Sequence, residues 1–372
     1  MKGLLKSELK KIACRKIFWV GLLLLLLYAV YQFVPFLIAK GYYITTAQTE
    51  EGVTLYGREA VKYNQARAQE YQGILTDETV QSMLENYTVS TEQGWNSLYP
   101  LDCVSQFIQM HFLINESEVK TVSAVYPQME EPLYYGYSDS WEDFLHTINT
   151  QMKIVLCLVI IVLAPIFANE YQSSMASIIF TSPKGRREDV RAKIAAALIL
   201  TNLCAVLFIV VESVMHLAFF GVEGWNTSIQ IGWPGFFRSS PVAMNFLEAV
   251  IQGIILTILV YNCMAMLTLL ISYFSKNTVT AMILSIVIFL LPSLPFFTAA
   301  EPDSLFGRIL VLLPFHVLNM QFVTYYRPIT LFGAKIPMFY MLLFYYPVVT
   351  GIMGVFLCKV CQRDNKRVLA GN

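Results

Sequence analysis

Charge is what this sequence has least of. Only 14% of its 372 residues are Asp, Glu, Lys or Arg, and 56% are hydrophobic; soluble domains carry about 25% charged residues. That deficit excludes an ordinary water-soluble domain and points to an integral membrane protein. Histidine is also scarce. The four, at 111, 146, 216 and 316, are scattered and form no H-E-x-x-H pattern. The sequence lacks G-x-x-x-x-G-K-[ST], the loop that cradles nucleotide phosphates, and it lacks a nucleophile elbow and a Gly-rich dinucleotide fingerprint. Catalysis and nucleotide binding therefore have no support within the chain, and no cofactor or metal is expected in it. Of seven cysteines only Cys103 lies in the large polar segment, so no disulfide framework can staple that segment. The Cys358/Cys361 pair supplies two ligands, half a zinc site at most.

Long apolar runs are what the sequence does have. A bilayer crossing needs about 20 residues, and six segments qualify: about 17–39, 151–169, 194–220, 243–273, 278–299 and 337–358. The first holds six consecutive leucines, Leu22–Leu27, and is too long for a signal-peptide core, so it reads as an uncleaved span. The fold class expected is an all-α polytopic membrane protein with six transmembrane helices.

The cations orient it. Lys2, Lys6, Lys10, Lys11, Arg15 and Lys16 precede the first span; Lys184, Arg186, Arg187, Arg191 and Lys193 separate the second and third. Lys276 sits between the fourth and fifth, and Lys359, Arg363, Lys366 and Arg367 follow the sixth. With six spans all four clusters fall on one side, which the positive-inside rule makes the cytoplasm. The expected localisation is the cell membrane, multi-pass, with both termini cytoplasmic.

Residues 40–150 then form an acidic, aromatic extracytoplasmic domain, after an N-terminal part (1–39) that holds a basic interfacial segment and the first span. Thr76 reads as the N-cap of a helix with Val80, Met83 and Leu84 on one face, and the stretch from Tyr56 to about Tyr71 also reads helical. The remaining residues, 151–372, form a five-span membrane domain. Between its last two spans, about 300–336, Arg308 and Pro314 interrupt an apolar run too short to cross. A re-entrant hairpin entered from outside fits this pattern; an interfacial amphipathic helix fits the periodicity equally. Within the spans, Glu212 and His216 share a helix face, and Glu248 lies near the start of the fourth. A polar outer-leaflet cavity for substrate is one reading of these three, and interhelical hydrogen bonding is the other. Asn202 and Asn262 read as helix-packing amides.

The loop after the second span, about 170–193, is different in kind. It reads FANEYQSSMASIIFTSPKGRREDVRAK from residue 167. Glu170 closes the apolar run, and Met175, Ile178 and Ile179 recur on one helical face opposite Ser173, Ser174 and Ser177. Ser182-Pro183 fits an N-cap followed by proline at the first helical position. Asp189 and Lys193 are spaced as an i,i+4 ion pair.

This pattern resembles the first cytoplasmic loop of type-two ABC transporter permeases. In that family a Glu precedes a Gly/Ser-rich stretch, a Ser-Pro-x-x-Arg, and a Lys that opens the next span. Glu170, Ser173-Ser174, Ser182-Pro183 with Arg186, and Lys193 occupy those places, although the glycine usual after the Glu is missing. The resemblance implies a coupling helix after Glu170, with Ser182, Pro183, Arg186 and Arg187 at its contact with a separate ATP-binding subunit. ATP and Mg would then be bound by that partner, not by this chain. It also implies a second permease half, identical or related, and contact with membrane lipid, without any nucleic-acid partner. Function would be that of an exporter permease for an amphipathic substrate such as an antimicrobial peptide, a lipid or a drug. A membrane receptor or sensor that reads a ligand with the external domain is the alternative; it would need no ATPase partner.

Overall fold

The computed structural model of the chain describes residues 2–38, 43–86, 102–113, 120–175, 188–232, 237–294, 304–325, 329–331 and 334–369. Most of these are helical. The helices are α1 (Lys2–Ala13), α2 (Lys16–Ile38), α3 (Arg58–Glu70), α4 (Asp77–Glu85), α5 (Cys103–His111), α6 (Val122–Val125), α7 (Asp139–Leu163) and α8 (Pro165–Gln172). They continue as α9 (Glu188–Phe220), α10 (Phe246–Ser275), α11 (Thr278–Leu290), α12 (Leu305–Leu310), α13 (Pro314–Val317), α14 (Met320–Tyr325) and α15 (Met338–Leu369). The strands form three small antiparallel pairs: β1 (Thr46–Gln48) with β2 (Thr54–Tyr56), β3 (Gly73–Ile74) with β4 (Tyr134–Tyr135), and β5 (Ile329–Leu331) with β6 (Ala334–Ile336).

Among the described residues, five helical runs are long and apolar enough to cross a membrane: Lys16–Phe36, Asp139–Gln172, Glu188–Phe220, Phe246–Ser275 and Met338–Arg363. The fifth expected crossing, about 278–299, is described as far as Leu294. Its helix Thr278–Leu290 passes into a single 3₁₀ turn, Leu291–Ser293; together they rise about 24 Å at 1.5 Å per residue, against a hydrocarbon core of about 30 Å. Pro292 sits in that turn, and its missing N–H stops the α-helical ladder. The second crossing begins earlier than hydropathy suggests. α7 starts at Asp139 because its first turns, rich in Ser140, Glu142, Asp143, Thr147 and Asn149, are helical but polar.

The main core gathers α2, α7, α9, α10 and α15 around Val155, Leu156, Phe208, Leu256, Tyr261 and Leu342. α9 and α10 are fastened by a reciprocal amide pair. Asn202 Nδ2 donates to Asn262 Oδ1 at 2.9 Å, and Asn262 Nδ2 donates back at 3.1 Å. This is the helix-packing role expected of them.

The segment between the first two crossings has a core of its own. Ile44, Val61, Val80, Met83, Phe107, Phe112, Tyr126 and Tyr135 cluster there, and the membrane helices close its base with Phe33, Phe36 and Phe220. Thr76 caps α4 through its hydroxyl, which accepts from Thr79 N–H at 3.2 Å, and Val80 and Met83 face inward. α3 accounts for the helix expected near Tyr56–Tyr71.

The described residues of the segment 304–336 form α12, α13 and α14 and the β5–β6 pair. Pro314 opens α13 instead of breaking a longer helix. Val317, Leu318, Met320 and Val323 join the main core. Tyr346 of α15 donates its hydroxyl to the Leu312 carbonyl at 2.9 Å, so freed backbone in this segment is satisfied by protein, as irregular chain near a membrane requires.

Candidate functional site

The loop that carries the sequence motif is rooted in two helix ends, and the first root is a broken helix. α7 stops at Leu163 because Pro165 brings no N–H and fits only the first turn of a new helix, α8. The new turn leaves donors without helical acceptors, and Ser272 of α10 supplies one. Its Oγ accepts from Phe167 N–H at 3.1 Å and from Ala168 N–H at 3.0 Å, and donates to the Ala164 carbonyl at 2.5 Å. α8 ends at Gln172, and Ser174 takes φ +59°. That left-handed conformation normally belongs to glycine; here a serine provides the turn where the glycine of the resembled motif is missing.

The second root is the start of α9, and an ion cluster joins the two. Lys193 is 1% exposed. Its Nζ donates to Glu170 Oε2 at 2.6 Å across 23 residues of sequence, and also to Asp189 Oδ2 one turn away. The ammonium lies 5.1 Å from the Phe167 ring centroid. Two carboxylates share one buried cation, and Lys11 of α1 is within electrostatic reach of Glu170. The loop is thus closed at its base by Glu170, Asp189 and Lys193. Ser182, Pro183, Arg186 and Arg187 fall within 176–187, outside the described residues, as does the expected surface helix beyond Met175.

The basic segments converge on this end of the bundle. Arg15 Nη1 donates to the Val162 carbonyl at 2.7 Å, Lys276 Nζ lies 5.6 Å from the Tyr171 ring centroid, and Arg191 is within electrostatic reach of Cys358. α1 is amphipathic. Its Glu8 and Ile12 are buried, and Glu8 holds Lys11 at 2.5 Å.

The three residues considered for a substrate cavity do not meet. Glu212 and His216 are fully buried on α9, the His216 ring lying 4.9 Å from Phe144 and 4.6 Å from Phe220. Neither Glu212 carboxylate oxygen has a hydrogen-bond partner among the described residues, and Asp143 is within electrostatic reach. Glu248 lies elsewhere, at the third position of α10. There it forms a capping box: Asn245 N–H donates to its Oε2 at 3.1 Å and its own N–H donates to Asn245 Oδ1 at 2.9 Å. Glu248 and Gln252 line a cavity of ≈ 270 Å³ together with Met244, Thr324, Phe339 and Tyr340; Glu212 and His216 do not line it.

Two residues escaped the sequence reading. Ser272 gave no signal, because a serine in an apolar helix is unremarkable until Pro165 is seen beside it. Lys153, a cation within the second crossing, did carry one: it is charged inside an apolar run. A family model described as ABC-2 family transporter protein matches residues 3–355. No curated protein matches the chain.

Proposed function

The chain belongs to the ABC-2 transporter family, and from that premise we propose that this membrane permease is the half of an ATP-driven exporter that converts movement of its partner into movement of its helices. The family makes it a multi-pass membrane subunit that works beside an ATP-binding subunit and has no ATPase site of its own. The single observation that carries the finer reading is the buried Glu170–Lys193–Asp189 cluster. A loop clamped at its base transmits force to both helices it joins; an unclamped loop would absorb it.

In this reading the segment 173–187 is the coupling element, its arginines Arg186 and Arg187 face the ATP-binding subunit, and the basic end of the bundle is cytoplasmic. Six crossings follow, with α11 and its 3₁₀ turn in the fifth. A push on the loop reaches α8, which can pivot at the Pro165 break, and α9, a 33-residue rod of about 50 Å. Two such permease halves, identical or related, would enclose the path of an amphipathic substrate: a peptide, a lipid or a drug. The ≈ 270 Å³ cavity at Glu248 and Gln252 lies on the external side of that path.

The test is purification of the chain from its native membrane in mild detergent, with mass spectrometry of the proteins retained, beside an Arg186→Glu/Arg187→Glu variant. An ATP-binding subunit with a phosphate-binding loop should accompany the wild type and be lost or weakened in the variant. Full retention by the variant would move the docking surface to other residues. Absence of any ATP-binding subunit across several detergents would replace the exporter reading with the receptor one.

A further inference from the structure

The second crossing carries a cation that no described carboxylate neutralises. Lys153 lies on α7, within the apolar run Asp139–Gln172, about 25 Å from the Glu170 end of that run at 1.5 Å per residue. No carboxylate lies within ion-pair distance of it among the described residues. Its Nζ sits 4.7 Å from the ring centroid of Phe315, on the short helix α13. His146 and Asn149 share its helix face, one exposed and the other half-buried. His146 and His316 are both within electrostatic reach of the ammonium, and Asn149 Nδ2 reaches Asn319 Oδ1 at 3.5 Å. The face therefore offers a cation, the exposed His146 imidazole and two amides beside a phenyl ring, with the His316 ring buried behind them.

An ammonium at membrane depth is costly to leave unpaired and calls for a named partner. A free anion would have to shed its water to reach it. A lipid brings an anionic group to that depth already, with its chains along the apolar helix surface. We propose that this face binds the anionic headgroup of a phospholipid in the outer leaflet, the phosphate accepting from Lys153 and His146. The leaflet, but not the site, rests on the cytoplasmic placement of the Glu170 end.

The experiment uses the full-length chain in neutral detergent, titrated with phosphatidylglycerol or phosphatidylcholine, with bound lipid counted by native mass spectrometry. Phosphatidylglycerol should be retained about fivefold over phosphatidylcholine, the effect of one lysine on an anionic lipid. Lys153→Gln should abolish that preference and Lys153→Arg should keep it, which separates lost charge from lost fold. Equal preference in Lys153→Gln overturns the site. Displacement of the lipid by inorganic phosphate would make it a free-anion site and overturn the lipid assignment. A dimer cross-linked through position 153 in the absence of lipid would make a second copy the occupant, and overturn it too. None of these measurements involves the ATP-binding subunit, so this inference and the exporter reading fail independently.

Discussion

Lys193 shows how much one buried charge can decide. With 1% of it exposed, its attraction to Glu170 and Asp189 must outweigh a desolvation cost of several kcal/mol. Removing one partner of such a cluster is worse than never having built it. Lys193→Gln leaves two carboxylates facing each other without a cation, and should cost about 3–5 kcal/mol, read as a large fall in the thermal unfolding temperature of the purified chain. Glu170→Gln leaves Lys193 paired with Asp189 and should cost clearly less; equal losses would mean that the cluster does not act as drawn. His111, in the segment between the first two crossings, sets a pH dependence. Its Nε2 donates to the Gly232 carbonyl at 3.0 Å, so Nδ1 accepts from the Tyr126 hydroxyl at 2.7 Å and the ring is neutral. Burial first, and then the nearby Arg238 charge, push its pKa down to about 3. The unfolded chain takes up a proton below about pH 6.5, and the folded domain does not until about pH 3. This group therefore costs no stability above pH 6.5, and about 1.4 kcal/mol per pH unit as the pH falls through that window. The unfolding temperature of wild type minus that of His111→Gln should be flat above pH 6.5 and fall below it; a difference that ignores pH would refute the assignment. Of these contacts the i,i+4 pair Asp189–Lys193 is legible in the sequence. Glu170–Lys193 and His111–Tyr126 are not, because nothing local says which residues 23 or 15 positions apart will meet.

At the scale of elements, the Pro165 break is held together by a single hydroxyl. Three backbone groups of the α7–α8 junction depend on Ser272 Oγ. A buried group left without its partner costs about 1–3 kcal/mol, so Ser272→Ala should destabilise the chain by at least that much. It should also speed hydrogen exchange at Phe167 and Ala168 specifically. Unchanged exchange at those two amides would show that the break is satisfied in another way. The Asn202–Asn262 pair predicts a smaller effect. A double-mutant cycle to leucine should return a coupling of about 0.6 kcal/mol and under 2, as membrane amide pairs do. Helix identities were readable because apolar runs and caps such as Thr76 are local signals. Boundaries were less so. The polar start of α7 at Asp139 is invisible to hydropathy, and so is the passage from α11 into the 3₁₀ turn Leu291–Ser293.

At the scale of the whole molecule, α9 packs against α1, α2, α3, α7, α10 and α15. Its first turns hold Lys193 in the cluster at the basic end. Its last turn, closed by Gly221 at φ +81°, is held by α3. Arg58 Nη2 donates to the Ala218 carbonyl at 3.1 Å, and Gln65 Nε2 donates to the Phe220 carbonyl at 2.7 Å. These are carbonyls that a helix cannot satisfy itself, and Arg58 places its charge at the negative end of the helix dipole. Phe220 then continues from α9 into the core of the segment between the first two crossings. The convergence of the four basic segments on one end follows from counting charges along the sequence; the attachment of α3 to the far end of α9 does not, because it joins residues about 155 positions apart. The attachment makes a prediction that neither end makes alone. If α9 carries motion from the clamped loop to α3, nucleotide trapping in the assembled transporter should change hydrogen exchange across Arg58–Glu70. An Arg58→Ala/Gln65→Ala variant should abolish that change and leave binding of the ATP-binding subunit intact. Exchange in α3 that is blind to nucleotide in the wild type would make the segment around α3 a passenger on the helix end, and the rod a purely structural one.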